Sequence, residues 1–226
     1  QGRVGYDLAH DRNFRVTPWG TAYSTGRRGG LDDLGNQERY ELNVDGLIGL
    51  SKKITNDFSV DAAVGANLRK NRYEKIAVGG GPFILPYLYT LSNVQSPRTN
   101  PNDNYDFWKT QVNSAYYTVD FGYKNFLTLG TTGRYDAYST LPVNNNTIFV
   151  PSVSASFIFS ELTHIRSLNY GKLRASYAVT SNELTDAYQT AVYYSLGSPF
   201  NGVPVGNFST SLPSGLLKPF TTSELE

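Results

Sequence analysis

Between residues 113 and 160 the chain alternates with a period of two. Ala115, Tyr117, Val119, Phe121 and Tyr123 are apolar, while Ser114, Tyr116, Thr118 and Asp120 between them are polar. That period is the signature of a strand with one apolar and one polar face. The alternation resumes beyond 124–126 in Leu127, Leu129 and Tyr135, against Thr128, Thr132, Arg134 and Asp136. Facing residues of a hairpin must share a face, so the pattern also fixes a register. A three-residue or bulged turn at 124–126 pairs Tyr123 with Leu127, Phe121 with Leu129, Ala115 with Tyr135, and Tyr116 with Arg134.

The same pattern predicts further strands at 2–8, 39–50, 58–68, 153–159 and 171–179. Between them, 10–38 reads as a long Gly-, Arg- and Asp-rich loop, and 51–57 as a compact polar turn. Residues 70–110 read as irregular, 137–147 as a loop, and 161–170 as a short connection with room for one helical turn. The stretch 181–221 reads as a long loop with a partial strand at 188–196. The clearest strands run about 9–12 residues, near the ~9–11 of a tilted membrane strand. Connections alternate between long and short, as in a barrel with tight turns at one rim and long loops at the other. The expected fold is therefore all-β, an antiparallel transmembrane β-barrel, with a soluble β-sandwich as the competing architecture.

Composition narrows the chemistry. The chain holds 17 Tyr and 12 Phe but 2 Trp, with a mean hydropathy of −0.37. No apolar run approaches the ~18 residues of a membrane helix. The formal charge of +1 argues against a nucleic-acid surface. The absence of Cys removes disulfides, thiol catalysis and Cys-ligated metals. The absence of Met is read as the mark of a fragment or a processed chain.

No catalytic constellation is present, no cofactor or metal is predicted, and the chain is expected not to be an enzyme. His10 and His164 have no companion at metal-ligand spacing and read as loop or turn residues. Residues 100–106 lack the Gly and distal Glu of an EF-hand and read as an Asn-rich turn. The GGGP at 79–82 lacks the Lys-Ser/Thr of a phosphate loop. Five aromatics assigned to loops, Trp19, Tyr87, Tyr89, Tyr105 and Trp108, are the candidate ligand contacts, with simple packing as the competing role. Tyr116, Asp120, Arg134 and Arg174, on the polar phase, are expected to face a lumen.

The stretch VNSAYYTVDFGYKNFLTLGTTGRYDAYSTLP, followed by NNNTIFVPSVSASFIFSEL, resembles the core of SusC/RagA-like TonB-dependent outer-membrane transporters. LNYGKLRASYAVTSNE, the YTLSN at 89–93 and RYELNVDGLIGLSKKITNDFSVDAAVGANL fit the same pattern in order. LKPFTTSELE fits as well, departing at Phe220, where an acidic residue is common in the family. The resemblance implies that residues 1–226 are part of a 22-stranded barrel, about a third of it, without the plug and the closing C-terminal strands. It implies active import of a glycan or peptide across the outer membrane of a Gram-negative, Bacteroidetes-type bacterium. The partners implied are a SusD-like surface lipoprotein, TonB through segments outside this chain, and outer-membrane lipid. The alternatives are a passive porin-like barrel, a structural or secretion-associated barrel and, ranked last, a soluble β-sandwich carbohydrate-binding module. The implied orientation puts the 124–126 turn at the periplasmic rim and the 137–147 loop outside.

Overall fold

A computed structural model describes residues 1–98, 104–163, 169–182, 186–190, 194–197, 199–208 and 214–226. Eight strands form one antiparallel sheet. They are β1 (Gly2–Thr17), β2 (Gly30–Lys53), β3 (Phe58–Gly80), β4 (Tyr105–Tyr123), β5 (Leu127–Tyr138), β6 (Thr147–Phe157), β7 (Leu173–Asn182) and β10 (Phe220–Leu225). Each pairs with its predecessor in this order. A single helical turn, α1 (Ser160–Thr163), follows β6. Two short strands, β8 (Tyr194–Leu196) and β9 (Gly206–Phe208), pair separately.

The all-β, antiparallel expectation holds; the barrel does not. The sheet is open, with β1 and β10 as its two edges, and these do not pair with one another. No helix among the described residues is long and apolar enough to cross a membrane.

The 124–126 hairpin takes the predicted register. Tyr123 lies opposite Leu127, Phe121 opposite Leu129, Ala115 opposite Tyr135 and Tyr116 opposite Arg134. Lys124 and Asn125 both have positive φ, and the Phe126 N–H donates to the Tyr123 carbonyl at 3.2 Å. This is a type I′ turn followed by one extra residue, whose twist suits a hairpin.

Several predicted loops are strand. Residues 10–17 continue β1 and residues 30–38 begin β2, with a register shift between Arg15 and Val16. His10 is therefore a strand residue, opposite Glu38. The two ends of 70–110 are the far half of β3 and the start of β4, leaving 81–104 as the connection. The segment 220–225, whose first two residues were read as loop, pairs with β7. For β3 the cause is visible in its composition. Beyond Leu68 both faces of β3 turn polar, with Lys70, Arg72 and Glu74 on one side and Arg69, Asn71 and Lys75 on the other. A strand wetted on both faces has no amphipathic period to read. The alternation of connection lengths also fails late in the chain, because 158–172 is longer than 139–146.

The apolar face is uncovered. Val4 and Ile48 are 74% and 77% exposed, and Leu50, Phe58, Val64, Phe121 and Val153 are exposed with them. A single contiguous apolar face of this extent exceeds what an ordinary monomer surface carries. A soluble sandwich would bury it. Compact packing occurs at the long-loop end instead, where Leu31, Phe83 and Val94 form one cluster and Val112, Tyr138 and Leu141 another.

Candidate functional site

The polar face of the sheet is concave. A hollow of about 860 Å³ is bounded by side chains from six successive strands, β2 to β7. A flat sheet cannot enclose such a volume, so the strands curl around it. The size falls in the usual range for small-ligand cavities.

Tyr116 spans the hollow's floor. Its Oη donates to Asp45 Oδ2 at 2.8 Å, reaching from β4 over β3 to β2. The ring lies where a Cβ on Gly65 would stand, so the missing side chain at Gly65 makes the reach possible. Beside it, Asn67 Nδ2 donates to Asn43 Oδ1 at 2.6 Å.

Arg134 organises the other half. Its Nε donates to Asp136 Oδ1 at 2.7 Å and its Nη2 to Ser114 Oγ at 2.9 Å. Asp136 is 4% exposed, whereas the guanidinium side chain stays about half exposed at 47%. One charge is thus held rigidly by a buried partner and still faces the hollow. Tyr138 Oη approaches Asp136 Oδ2 at 3.4 Å and Ser181 Oγ at 3.3 Å, extending the network toward β7. With Arg69, the hollow carries two guanidinium groups and two carboxylates, ringed by Asn, Thr and Ser.

Of the four residues assigned to a lumen, Tyr116 and Arg134 line this hollow, and Asp120 and Arg174 do not. Asp120 sits opposite Asp61 and Gly130, nearer the 124–126 turn. Arg174 pairs with Ser156 near the same end and is exposed. Sequence reasoning passed over Asp45, Asn67, Ser114 and Asp136 as candidates, although they lie on the same polar phase. The entry of 179–182 from β7 had no local signal, because it depends on sheet curvature.

The five aromatics separate into three settings. Trp19 and Tyr89 pack against the Leu31–Phe83–Val94 cluster, and the Trp19 backbone N–H donates to Tyr89 Oη at 3.4 Å. Tyr87 is 75% exposed at a loop tip, with φ of 61°. Tyr105 and Trp108 are corrected from loop to strand, since both lie on β4. Trp108 stacks on Tyr73 at 5.5 Å, with Arg39 over the same tyrosine. Tyr105 stacks on Phe107 and donates to Glu74 Oε1 at 3.1 Å. Partial burial, then that hydrogen bond, raise the Tyr105 phenol above its ordinary value. Those four are engaged in packing, which leaves Tyr87 as the aromatic most open to a ligand.

His164 and residues 100–103 lie outside the described residues. Among the described residues no three His, Cys, Asp or Glu side chains gather as a metal site.

No family model matches the chain. TonB-dependent receptor P39 of Formosa agariphila is 25% identical over 167 residues, which is 73% of this chain and 16% of that receptor. TonB-dependent receptor P26 of the same organism is 27% identical over 128 residues, 55% of this chain and 13% of the receptor. A chain of the RagAB peptide transporter superposes with a TM-score of 0.82 at 15% identity, covering 99% of this chain and 25% of that one. The RagAB peptide importer in its 'closed-closed' and 'open-open' states gives 0.82 and 0.76. The chain thus spans a small part of the receptors it matches and a quarter of the solved chains. It is distantly related to SusC/RagA-type TonB-dependent transporters, a non-enzymatic class, and shares their fold over this part.

Proposed function

We propose that this chain is a solute-lining portion of a longer TonB-dependent importer. The importer moves large nutrients across the outer membrane of a Gram-negative, Bacteroidetes-type bacterium. A SusD-like surface lipoprotein is its partner, and TonB engages segments outside these 226 residues. The plug and the remaining strands belong to the rest of that protein.

Of the two solute classes, peptide suits the hollow better than glycan. The observation that carries this is its balanced charge: Arg69 and Arg134 stand with Asp45 and Asp136 among amide and hydroxyl groups. Backbone amides and zwitterionic termini match mixed charge and amide partners. Oligosaccharides are more often held by open aromatic platforms, and the tyrosines that face the hollow, Tyr116 and Tyr138, spend their hydroxyls on Asp45 and Asp136.

The test is growth of a strain deleted for the full-length gene, supplied with defined oligopeptides or oligosaccharides as the limiting nutrient. Loss of growth on peptides alone, restored by the intact gene but not by one lacking its TonB-contacting segment, is the expected result. Loss on oligosaccharides alone overturns the solute assignment. Uptake that survives collapse of the proton gradient turns the reading into the passive, porin-like one.

A further inference from the structure

On β3 one face changes character within a single step. Phe58, Val60, Ala62, Val64, Ala66 and Leu68 are apolar in unbroken succession, and the next same-face residues are Lys70 and Arg72. On β4 the matching series runs Tyr123, Phe121, Val119, Tyr117 and Ala115, then Asn113, Gln111 and Lys109. The register sets Arg72 opposite Lys109 and Lys70 opposite Gln111. On the other flank, Tyr40 faces Arg72 and Leu42 faces Lys70. Three cationic side chains therefore form a triangle on the uncovered face, directly above its apolar stripe.

Like charges placed directly opposite in a sheet destabilise it unless something offsets them. Arg72 is partly offset by Glu74, at 2.6 Å. Arg72 and Lys109 both lie over the Phe107 ring, at 5.4 and 5.1 Å. Lys70 and Lys109 are exposed and make no ion pair among the described residues. The triangle retains net positive charge beside Tyr40 and Phe107.

The stripe's length points to the source of the anion. From Phe58 to Leu68 a strand rising ~3.3 Å per residue covers roughly 33–36 Å. That is enough to cross the ~30 Å apolar core of a bilayer. Side chains one step above it stand at headgroup depth, where basic residues attract anionic lipid. We propose that Lys70, Arg72 and Lys109 bind the phosphate of an anionic lipid headgroup, whose acyl chains run down past Leu42, Leu68 and Ala115. This rests on the outer-membrane placement proposed above.

The experiment uses the full-length protein, extracted in detergent, stripped of lipid and offered mixed phosphatidylcholine and phosphatidylglycerol micelles. Retained lipid is counted by native mass spectrometry. The wild type should retain phosphatidylglycerol selectively, and K70Q/R72Q/K109Q should lose it on the order of tenfold. K52Q/K53Q, altered at the opposite end of β2, should match the wild type. K70R/R72K/K109R, which keeps the charges, should restore retention and separates charge loss from misfolding. Equal retention by the triple Gln variant overturns the proposal. So does displacement of the lipid by millimolar inorganic phosphate, which would reveal a free-anion site. Failure of the full-length protein to fractionate with the outer membrane would remove the placement itself. Correct fractionation without headgroup selectivity would sink this inference alone.

Discussion

Tyr116 and Asp45 are joined across the full width of β3, and Gly65 is the gap that lets them meet. A branched side chain at Gly65 would occupy the volume of the Tyr116 ring. Gly65→Val is expected to displace the ring, break the Asp45 bond and cost about 1–3 kcal/mol through overpacking. Tyr116→Phe should cost less, about 1 kcal/mol, because it removes the hydrogen bond alone. Urea unfolding of the full-length protein ranks the two. Equal losses would show that the ring does not depend on Gly65.

Arg134 and Asp136 make a second coupled pair. Truncating Arg134 leaves the buried Asp136 carboxylate with Tyr138, at 3.4 Å, as its recorded side-chain contact. Because Arg134 is about half exposed, the full cost of a buried ion pair does not apply, and about 1–3 kcal/mol is expected for Arg134→Ala. Combining it with Asp136→Asn should recover part of that loss, since the orphaned charge is gone. A double-mutant cycle showing simple additivity would contradict the coupling.

Asn93 acts as a clamp within the 81–98 loop. Its Oδ1 accepts from the Leu85 N–H at 2.9 Å, and its Nδ2 donates to the Leu85 and Leu88 carbonyls at 2.8 and 2.7 Å. Asn93→Ala should cost several net hydrogen bonds of ~1 kcal/mol each. Phe83→Ala, which empties the centre of the adjoining cluster, should cost about 3–5 kcal/mol. Both variants should become sensitive to limited chymotrypsin digestion between residues 83 and 91. An unchanged digestion pattern would show that the loop holds its shape without them.

Lys124 lies at φ of 47°, a region that carries a steric cost for any residue with a Cβ. Its contact with Asp57, 3.5 Å away, joins two exposed side chains and contributes little. Lys124→Gly is therefore expected to raise stability by roughly 0.5–1 kcal/mol. A drop in the unfolding midpoint would mean that the Asp57 contact outweighs backbone relief.

What was readable in the sequence follows from solvation. Residues 113–138 carry opposite polarity on their two faces, so the pairing of Tyr116 with Arg134 could be derived from alternation alone. Residues 69–80 and 9–17 are strands whose two faces meet similar surroundings, and their composition resembles loop. Tyr105 and Trp108 were misplaced for that reason. The Tyr116–Asp45 bond joins residues 71 positions apart and depends on curvature, which no local pattern encodes. Nor does alternation say whether a sheet closes, since open and closed sheets share the same period.

The open edges give this chain a property of its own. Along β1, sixteen residues have one side paired to β2 and the other unclaimed. Such a row of unused amide and carbonyl groups is a template for another strand. The β10 edge is shorter, at six residues. Produced alone, the chain should be adhesive to itself, stacking β1 against β1 or β1 against β10. Thioflavin-positive, concentration-dependent assemblies are the expected product. Placing Pro at alternate outward-pointing N–H positions of β1 should dissolve them.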